Sequence, residues 1–279
     1  MILGLTLGLG LIIILIAFVA EYFDSSLGMG YGTSLTPILL LLGFAPLQIV
    51  PSILFSELFT GLFAGFTHHS VGNVDFKPRT LSVRKIFKGI KNHGVLGSAK
   101  KGLPFALKLS LFIGAFSIIG TLIAVFIAVN LSKFWLTLYI GILITTIGIL
   151  ILLTLNKKYS FSWERVTLLS AVASFNKGVS GGGYGPVVTG GQLLAGVNEK
   201  NAVAITSLAE ALTCLVGMSA YIFFLGGFDW ILAPYLLIGA LLSVPLSAIT
   251  VKKIQAKNFK KGIGMATTLL GILTLSKLI

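Results

Sequence analysis

Long apolar runs separated by short polar loops dominate the chain. Six of them reach the roughly 20 residues that a helix needs to cross a bilayer: 46–67, 105–129, 134–155, 199–225, 230–251 and 261–278. Two further runs, 163–174 and 186–196, would form helices of only about 18 Å and 17 Å, so each reaches roughly halfway across. The pattern predicts an all-α polytopic membrane protein in which some helices stop inside the bilayer.

A glycine-rich segment interrupts the apolar sequence twice. It occupies residues 24–33 and again residues 177–186, an offset of 153 residues. The flanking sequence matches at the same offset, since Glu57 falls on Glu210. Self-similarity at a fixed offset indicates an internal repeat. The run that begins at Ile2 is long enough to span by itself, but its repeat equivalent predicts a half-helix after Gly10.

These two segments predict broken helices. A glycine inside a helix costs about 1 kcal/mol relative to alanine, so closely spaced glycines favour unwound backbone. We expect the helix to restart at Thr33 and Ser34 in the first segment and at Pro186 in the second. Unwound backbone inside a bilayer is stable only where it is buried in protein or lines a water-filled cavity. Each break is therefore a candidate site.

Loop charge predicts the orientation of the spans. The linker 77–101 carries eight Lys or Arg residues and no acid, and 252–261 carries five lysines. Basic residues also cluster at 157–165, and loops of this kind remain in the cytoplasm. Between the cytoplasmic segments 157–165 and 252–261 lie two full spans and the second broken element, so the broken element must cross the membrane an even number of times. A re-entrant hairpin, which does not cross, meets this requirement in each half. Each half, 1–155 and 163–279, then has one hairpin and three transmembrane helices, which predicts an inverted repeat within a single membrane domain.

Composition excludes a soluble protein, because 56% of the residues are hydrophobic and only 10% are charged. The net charge of +13 lies in loops, so we expect no nucleic-acid partner. The only cysteine is Cys214, which excludes a disulfide within the chain. The segment 1–20 is expected to be retained rather than cleaved. Within the linker, 83–90 has the spacing of an amphipathic helix on the cytoplasmic leaflet, and a basic loop that only sets topology is the alternative.

The restarted helices predict an anion site between the two breaks. A helix N-terminus offers unpaired amides and about half a positive charge. The hydroxyls of neighbouring Ser and Tyr residues are additional donors. Glycines that merely allow close helix packing are the alternative. The expected substrate-binding residues are Asp24, Ser25, Ser26, Gly28, Gly30, Tyr31, Gly32 and Thr33 in the first break, and Lys177, Ser180, Gly181, Gly183, Tyr184 and Gly185 in the second.

Four ionisable residues lie inside the predicted membrane core. Lys177 and its repeat equivalent Asp24 either pair with each other, or Lys177 is the counter-charge of an anionic substrate. Glu57 and Glu210 lie in the middle of equivalent spans. A buried glutamate that loses hydration can take up and release a proton, which makes both candidates for proton coupling. Hydrogen-bonded packing residues are the alternative.

Enzymatic chemistry is not expected. The sequence contains no HExxH, CxxC or carboxylate cluster, no nucleophile with a base at recognisable spacing, and no cofactor motif. His68, His69 and His93 do not form a metal set with Cys214. The first two of these histidines are interpreted as interfacial residues at the end of a span.

The whole chain resembles the TauE/SafE family of sulfite and organosulfur anion exporters, also called TSUP. The resemblance rests on Gly28-x-Gly30-Tyr31-Gly32-x-x-Leu35-x-Pro37 followed by Gly43, and on Gly181-Gly182-Gly183-Tyr184-Gly185 in the second half. It implies transport of sulfite, thiosulfate, sulfoacetate or a related small anion. The second half departs from the first at Gly190, where the first has Pro37.

These observations predict a multi-pass secondary transporter of a small anion in the inner (cell) membrane. Its expected partners are the anionic substrate and membrane lipid, with a homodimer left open, and no cofactor or metal is expected. An anion channel and a non-transport membrane partner protein are the alternatives.

Overall fold

A computed structural model describes residues 6–78, 102–154, 163–194, 197–227, 229–251 and 256–278. All regular elements in these ranges are helices, which confirms the predicted fold class. They are α1 (Leu7–Leu27), α2 (Tyr31–Leu41), α3 (Pro46–Ser70), α4 (Phe105–Asn130), α5 (Lys133–Thr154), α6 (Trp163–Ser180), α7 (Tyr184–Leu194), α8 (Glu199–Leu225), α9 (Ala233–Thr250) and α10 (Ala256–Ser276).

Six helices in the described ranges are long and apolar enough to cross a membrane: α1, α3, α4, α5, α8 and α9. Five of them match predicted spans. The sixth is α1 and not the predicted span 261–278. That segment belongs to α10, whose described apolar part, Gly264–Ser276, is shorter than a full span. The sequence analysis expected a half-helix in α1 because the equivalent segment of the second repeat, in α6, has a short apolar run. The apolar run of α1 itself is long enough for a full span.

Both glycine-rich segments break the helix at the same repeat position. Helix α1 ends at Leu27 and α2 begins at Tyr31, while α6 ends at Ser180 and α7 begins at Tyr184. In each break two glycines at equivalent repeat positions have positive φ: Gly28 (69°) and Gly30 (141°) in the first, and Gly181 (71°) and Gly183 (82°) in the second. Such angles suit glycine and strain other residues. The restart comes two residues earlier than predicted in both halves.

Helices of one half pack on helices of the other half, and the pairs are equivalent under the repeat. Helix α1 packs on α9, and its repeat counterpart α6 packs on α4. The two central helices α3 and α8 pack on each other, as do α5 and α10. Large apolar side chains such as Ile119 and Phe223 remain exposed on the outside, where lipid would surround a membrane protein. This pairing supports the repeat, while the inverted orientation of its halves remains a prediction.

The predicted amphipathic helix at 83–90 lies outside the described residues. So do most of the basic linker and the loop segments 155–162 and 252–255.

Orientation can be measured by cysteine labelling. We expect single cysteines placed in the linker 77–101 and in the loop 252–261, in a Cys214→Ser background, to react with a membrane-impermeant maleimide from the cytoplasmic side only. The reason is the density of positive charge in both segments. Labelling of the two segments from opposite faces would contradict the re-entrant hairpins and the inverted repeat.

Candidate functional site

The two helix breaks touch each other at the centre of the molecule. A β carbon on Gly32 would overlap the carbonyl oxygen of Gly181, and one on Gly185 would overlap the carbonyl oxygen of Gly28. These two contacts are equivalent under the repeat. Small residues allow backbones to approach this closely. Gly32 and Gly185 are each the second residue of a restarted helix, so the contact holds the start of α2 and of α7 against the opposite break.

Threonine hydroxyls satisfy part of the exposed backbone at the breaks. Thr36 Oγ1 on α2 donates to the carbonyl oxygen of Ser180 at 2.8 Å, and Thr189 Oγ1 on α7 donates to that of Gly28 at 2.8 Å. Each half therefore caps the C-terminal end of the broken helix in the other half. Carbonyls that a helix end leaves free need such donors when they are buried.

Lys177 lies beside the breaks and is buried, with 1% of its surface exposed. Its ammonium forms ion pairs with Glu57 of α3 and with Glu210 of α8, where the Nζ to Oε1 distance is 2.8 Å. No ion pair joins Lys177 to Asp24 within the described part of the chain. The two glutamates that occupy equivalent repeat positions therefore share one cation.

Asp24 has a different partner. Its Oδ1 accepts the backbone N–H of Tyr31 at 3.2 Å and so caps the N-terminus of α2. An amide that was expected to face the anion is thus occupied by a carboxylate.

Three acids converge, although no carboxylate cluster was expected. Carboxylate oxygens of Asp24, Glu57 and Glu210 lie within 4.8 Å of one another. The expectation was wrong because these residues are far apart in the sequence and only the packing of α1, α3 and α8 unites them. Among the described residues, the Lys177 ammonium forms ion pairs with two of these acids, Glu57 and Glu210.

Glu21 was missed by the sequence analysis. It lies one turn before Asp24 on α1, is 2% exposed, and accepts hydrogen bonds from Ser25 Oγ at 2.5 Å and Thr60 Oγ1 at 3.4 Å. The available signal was its i, i+3 spacing from Asp24, which places both acids on one helix face.

His68 is buried, which corrects its interpretation as an interfacial residue. The Asn73 amide donates to His68 Nδ1 at 3.0 Å and to the Ala248 carbonyl at 2.9 Å. Since Nδ1 accepts, the proton lies on Nε2, which donates to the Ser25 carbonyl at 2.9 Å. His68 therefore secures the last turn of α1 next to the acids.

Most of the expected hydroxyl donors already have protein partners. Tyr31 OH bonds Ser56 Oγ at 2.8 Å, and Tyr184 OH contacts Ser117 and Thr213 at 3.3 Å and 3.2 Å. The hydroxyl groups of Ser25 and Ser180 also donate within the protein.

Two hydroxyls of the first break differ from these. Ser26 Oγ and Thr33 Oγ1 are buried and have no hydrogen-bond partner among the described residues. Buried polar groups in proteins are nearly always paired, so both hydroxyls are free to bind a ligand or water.

The charges of the centre do not balance. Four buried carboxylates, those of Glu21, Asp24, Glu57 and Glu210, surround the one ammonium of Lys177. The formal charge is three negative units when every group is ionised. Asp24 also lies in the last turn of α1, where the helix dipole disfavours negative charge. Buried charge of one sign is costly, so the site favours uptake of protons or another cation. The described structure thus places carboxylates beside the two unpartnered hydroxyls.

Long apolar helices packed around a buried charged centre define a multi-pass membrane protein with the features of a transporter. The family model described as "Sulfite exporter TauE/SafE" matches residues 13–83 and 91–274, and the chain belongs to this family. The expected resemblance is thereby confirmed. The chain is accordingly a membrane transporter and not an enzyme.

A curated relative supports the same class. The chain is 25% identical over 246 residues to the "Probable membrane transporter protein YtnM" of Bacillus subtilis (strain 168), covering 85% of this chain and 73% of the relative. No solved structure matches the chain.

Proposed function

We propose that this protein is a secondary transporter of a small sulfur oxyanion or organosulfonate, such as sulfite, thiosulfate or sulfoacetate. The substrate binds between the two helix breaks. Glu57 and Glu210 couple its movement to protons.

The unpartnered hydroxyls of Ser26 and Thr33 carry this proposal. Both lie in the first break, next to the contact with the second break, and both can donate a hydrogen bond. A sulfonate or sulfite group presents only acceptor oxygens. It therefore complements the two open hydroxyls, both of which can donate to it.

The central lysine supports an anionic substrate. The Lys177 ammonium has three N–H donors, and two carboxylates engage it. The third N–H has no hydrogen-bond partner among the described residues and can bind an anion. Family membership supports the sulfur-containing class of substrate, since its model is described as a sulfite exporter.

The arrangement also suits alternating access. Broken helices that meet between two structural repeats recur in secondary transporters, where they hold the substrate near the bilayer midplane. An open anion channel would need no shared ion pair at its centre. The buried Lys177 with its two glutamates therefore favours a transporter over a channel.

The test is uptake of radiolabelled thiosulfate and sulfite by liposomes that contain the purified protein. We expect Ser26→Ala and Thr33→Val each to raise the KM about tenfold, the effect of losing one hydrogen bond worth about 1.4 kcal/mol to an anion. Competition by unlabelled sulfite, thiosulfate, sulfoacetate, sulfate and chloride ranks the substrates.

Matched controls are available on the exposed surface. Ser219→Ala and Thr146→Val remove hydroxyls of the same kind, each of which bonds only a carbonyl of its own helix. Both should transport as the parent does. Equal KM values for all four variants would move the site away from the first break, and transport of none of the anions would refute the proposed function.

A further inference from the structure

The shared ion pair has a consequence for how an anion can enter the site. Lys177 contacts one oxygen of each glutamate, and Asp24 and Glu21 add two more carboxylates from α1. The other titratable groups nearby are Tyr31 of α2, Tyr184 of α7, Cys214 of α8 and His68 of α3, whose ring is neutral because its Nδ1 accepts the Asn73 amide. None of these adds positive charge. An anion that approached Lys177 with every carboxylate ionised would meet a net negative site and would be repelled.

We propose that the anion and protons bind together: Glu57 and Glu210 take up protons when the anion takes over the Lys177 ammonium. This inference rests on the proposed function and adds the sign of the coupling and the exchange at Lys177 that produces it. Protons enter from the same side as the anion, form O–H bonds on the glutamates, and leave with it on the other side. The protein is therefore an anion–proton symporter.

Glu57 is the first proton acceptor. Its Oε2 binds Lys177, while its Oε1 is buried and lacks a hydrogen-bond partner among the described residues. Burying a charged carboxylate oxygen without a hydrogen-bond donor has a high free-energy cost. Protonation there neutralises the group and weakens its hold on the ammonium.

Glu210 completes the exchange. Its Oε1 holds Lys177 at 2.8 Å, so the ammonium stays bound to one carboxylate while Glu57 is neutral. Only when both glutamates have released Lys177 does its full charge face the anion. In the empty protein the glutamates lose their protons and recapture the ammonium. The charged centre is then closed, which lets the empty transporter return without leaking protons.

Asp24 is not part of the exchange. Its Oδ1 accepts the Tyr31 amide, which ties the carboxylate to the start of α2, and no ion pair joins it to Lys177 among the described residues. Glu21 has a hydroxyl donor on each oxygen, so its hydrogen bonds are satisfied without Lys177. Lys177 is thus released by the two repeat-related glutamates and not by the acids of α1.

Proton uptake on anion binding tests the inference directly. Purified protein in weakly buffered detergent solution is titrated with thiosulfate or sulfoacetate, and a pH indicator dye records protons. Neither anion titrates near neutral pH, and for sulfite the protonation of the free anion is subtracted. We expect one to two protons taken up per bound anion. By linkage, affinity should rise about tenfold per proton for each unit that the pH falls.

The Glu57→Gln and Glu210→Gln double variant should bind the anion with no proton uptake and no dependence on pH. In liposomes it should exchange labelled anion but no longer concentrate it under a pH gradient. Asp75→Asn, which removes an exposed acid outside the centre, should behave as the parent.

Two outcomes separate the inference from the proposed function. Anion binding by the parent protein without proton uptake would overturn the symport while leaving anion transport intact. Unchanged proton uptake in the double variant would overturn the role of the two glutamates. Failure of the parent to bind any anion would refute the proposed function itself. The measurements on the parent protein decide the symport even if the double variant does not fold.

Discussion

Replacement of Gly32 or Gly185 by alanine should abolish transport, because the added methyl group has no space. In each case the new β carbon would overlap a backbone carbonyl of the opposite break, Gly181 for Gly32 and Gly28 for Gly185. Backbone cannot move aside as the end of a flexible side chain can. We expect at least a hundredfold loss of uptake, since overpacking of a rigid site typically costs about 1–3 kcal/mol or more.

Gly190→Ala is the matched control for this prediction. Gly190 lies on the same helix as Gly185, but a β carbon there would meet nothing within 4 Å. Alanine also favours the helix, so this variant should insert and transport at least as well as the parent. Uptake is measured in liposomes after normalisation to the folded protein recovered by size-exclusion chromatography. Normal transport by the Gly32→Ala and Gly185→Ala variants would show that the two breaks do not touch as described.

Lys177→Met should destabilise the protein strongly and stop transport. The substitution leaves Glu57 and Glu210 buried without their cation. Removal of one partner from a buried ion pair costs about 3–5 kcal/mol, because the remaining charge is uncompensated. The loss should appear as a lower melting temperature in detergent, measured by differential scanning fluorimetry.

A rescue experiment identifies the cause of this loss. When Lys177→Met is combined with Glu57→Gln and Glu210→Gln, neither position 57 nor position 210 carries an uncompensated charge. Most of the lost stability should therefore return. Transport should not return, since the ammonium is gone. Lys133→Met removes an exposed lysine at the start of α5 and should change neither property. If the triple variant were as unstable as Lys177→Met alone, Lys177 would be stabilising the protein by packing and not by charge.

The candidate site was predicted in part. The sequence placed Lys177, Asp24, Glu57 and Glu210 inside the membrane, and all four are buried. It did not assign the partner of Lys177, since Asp24 and a substrate were equal candidates. It also did not reveal Glu21, which lies within an apolar run and has no equivalent acid in the second half. The roles of these residues in binding and coupling remain predictions.

The expected donors show the same division. Their positions in the breaks followed from the sequence, but their availability did not. Tyr31, Tyr184, Ser25 and Ser180 use their hydroxyls within the protein, whereas Ser26 and Thr33 do not. Hydrogen-bond partners on other helices decide which hydroxyl remains free, and these partners are not visible in local sequence.

The sequence by itself determined the helices and the two breaks. Apolar run length sets which segments can span a bilayer, and glycine content sets where a helix ends. Both are local properties, so they could be predicted from neighbouring residues alone. The second copy of the glycine-rich segment strengthened the prediction, because α1 and α6 end at equivalent repeat positions.

The tertiary structure alone decided how the breaks meet and which acids hold Lys177. Lys177 is separated by 120 residues from Glu57 and by 33 from Glu210 along the chain. Such pairs form only because α3 and α8 pack on each other and α6 contacts both of them. In a buried centre the energy of each charge depends on every other charge within a few ångströms. That sum is set by the packing of distant segments and cannot be read from any one of them.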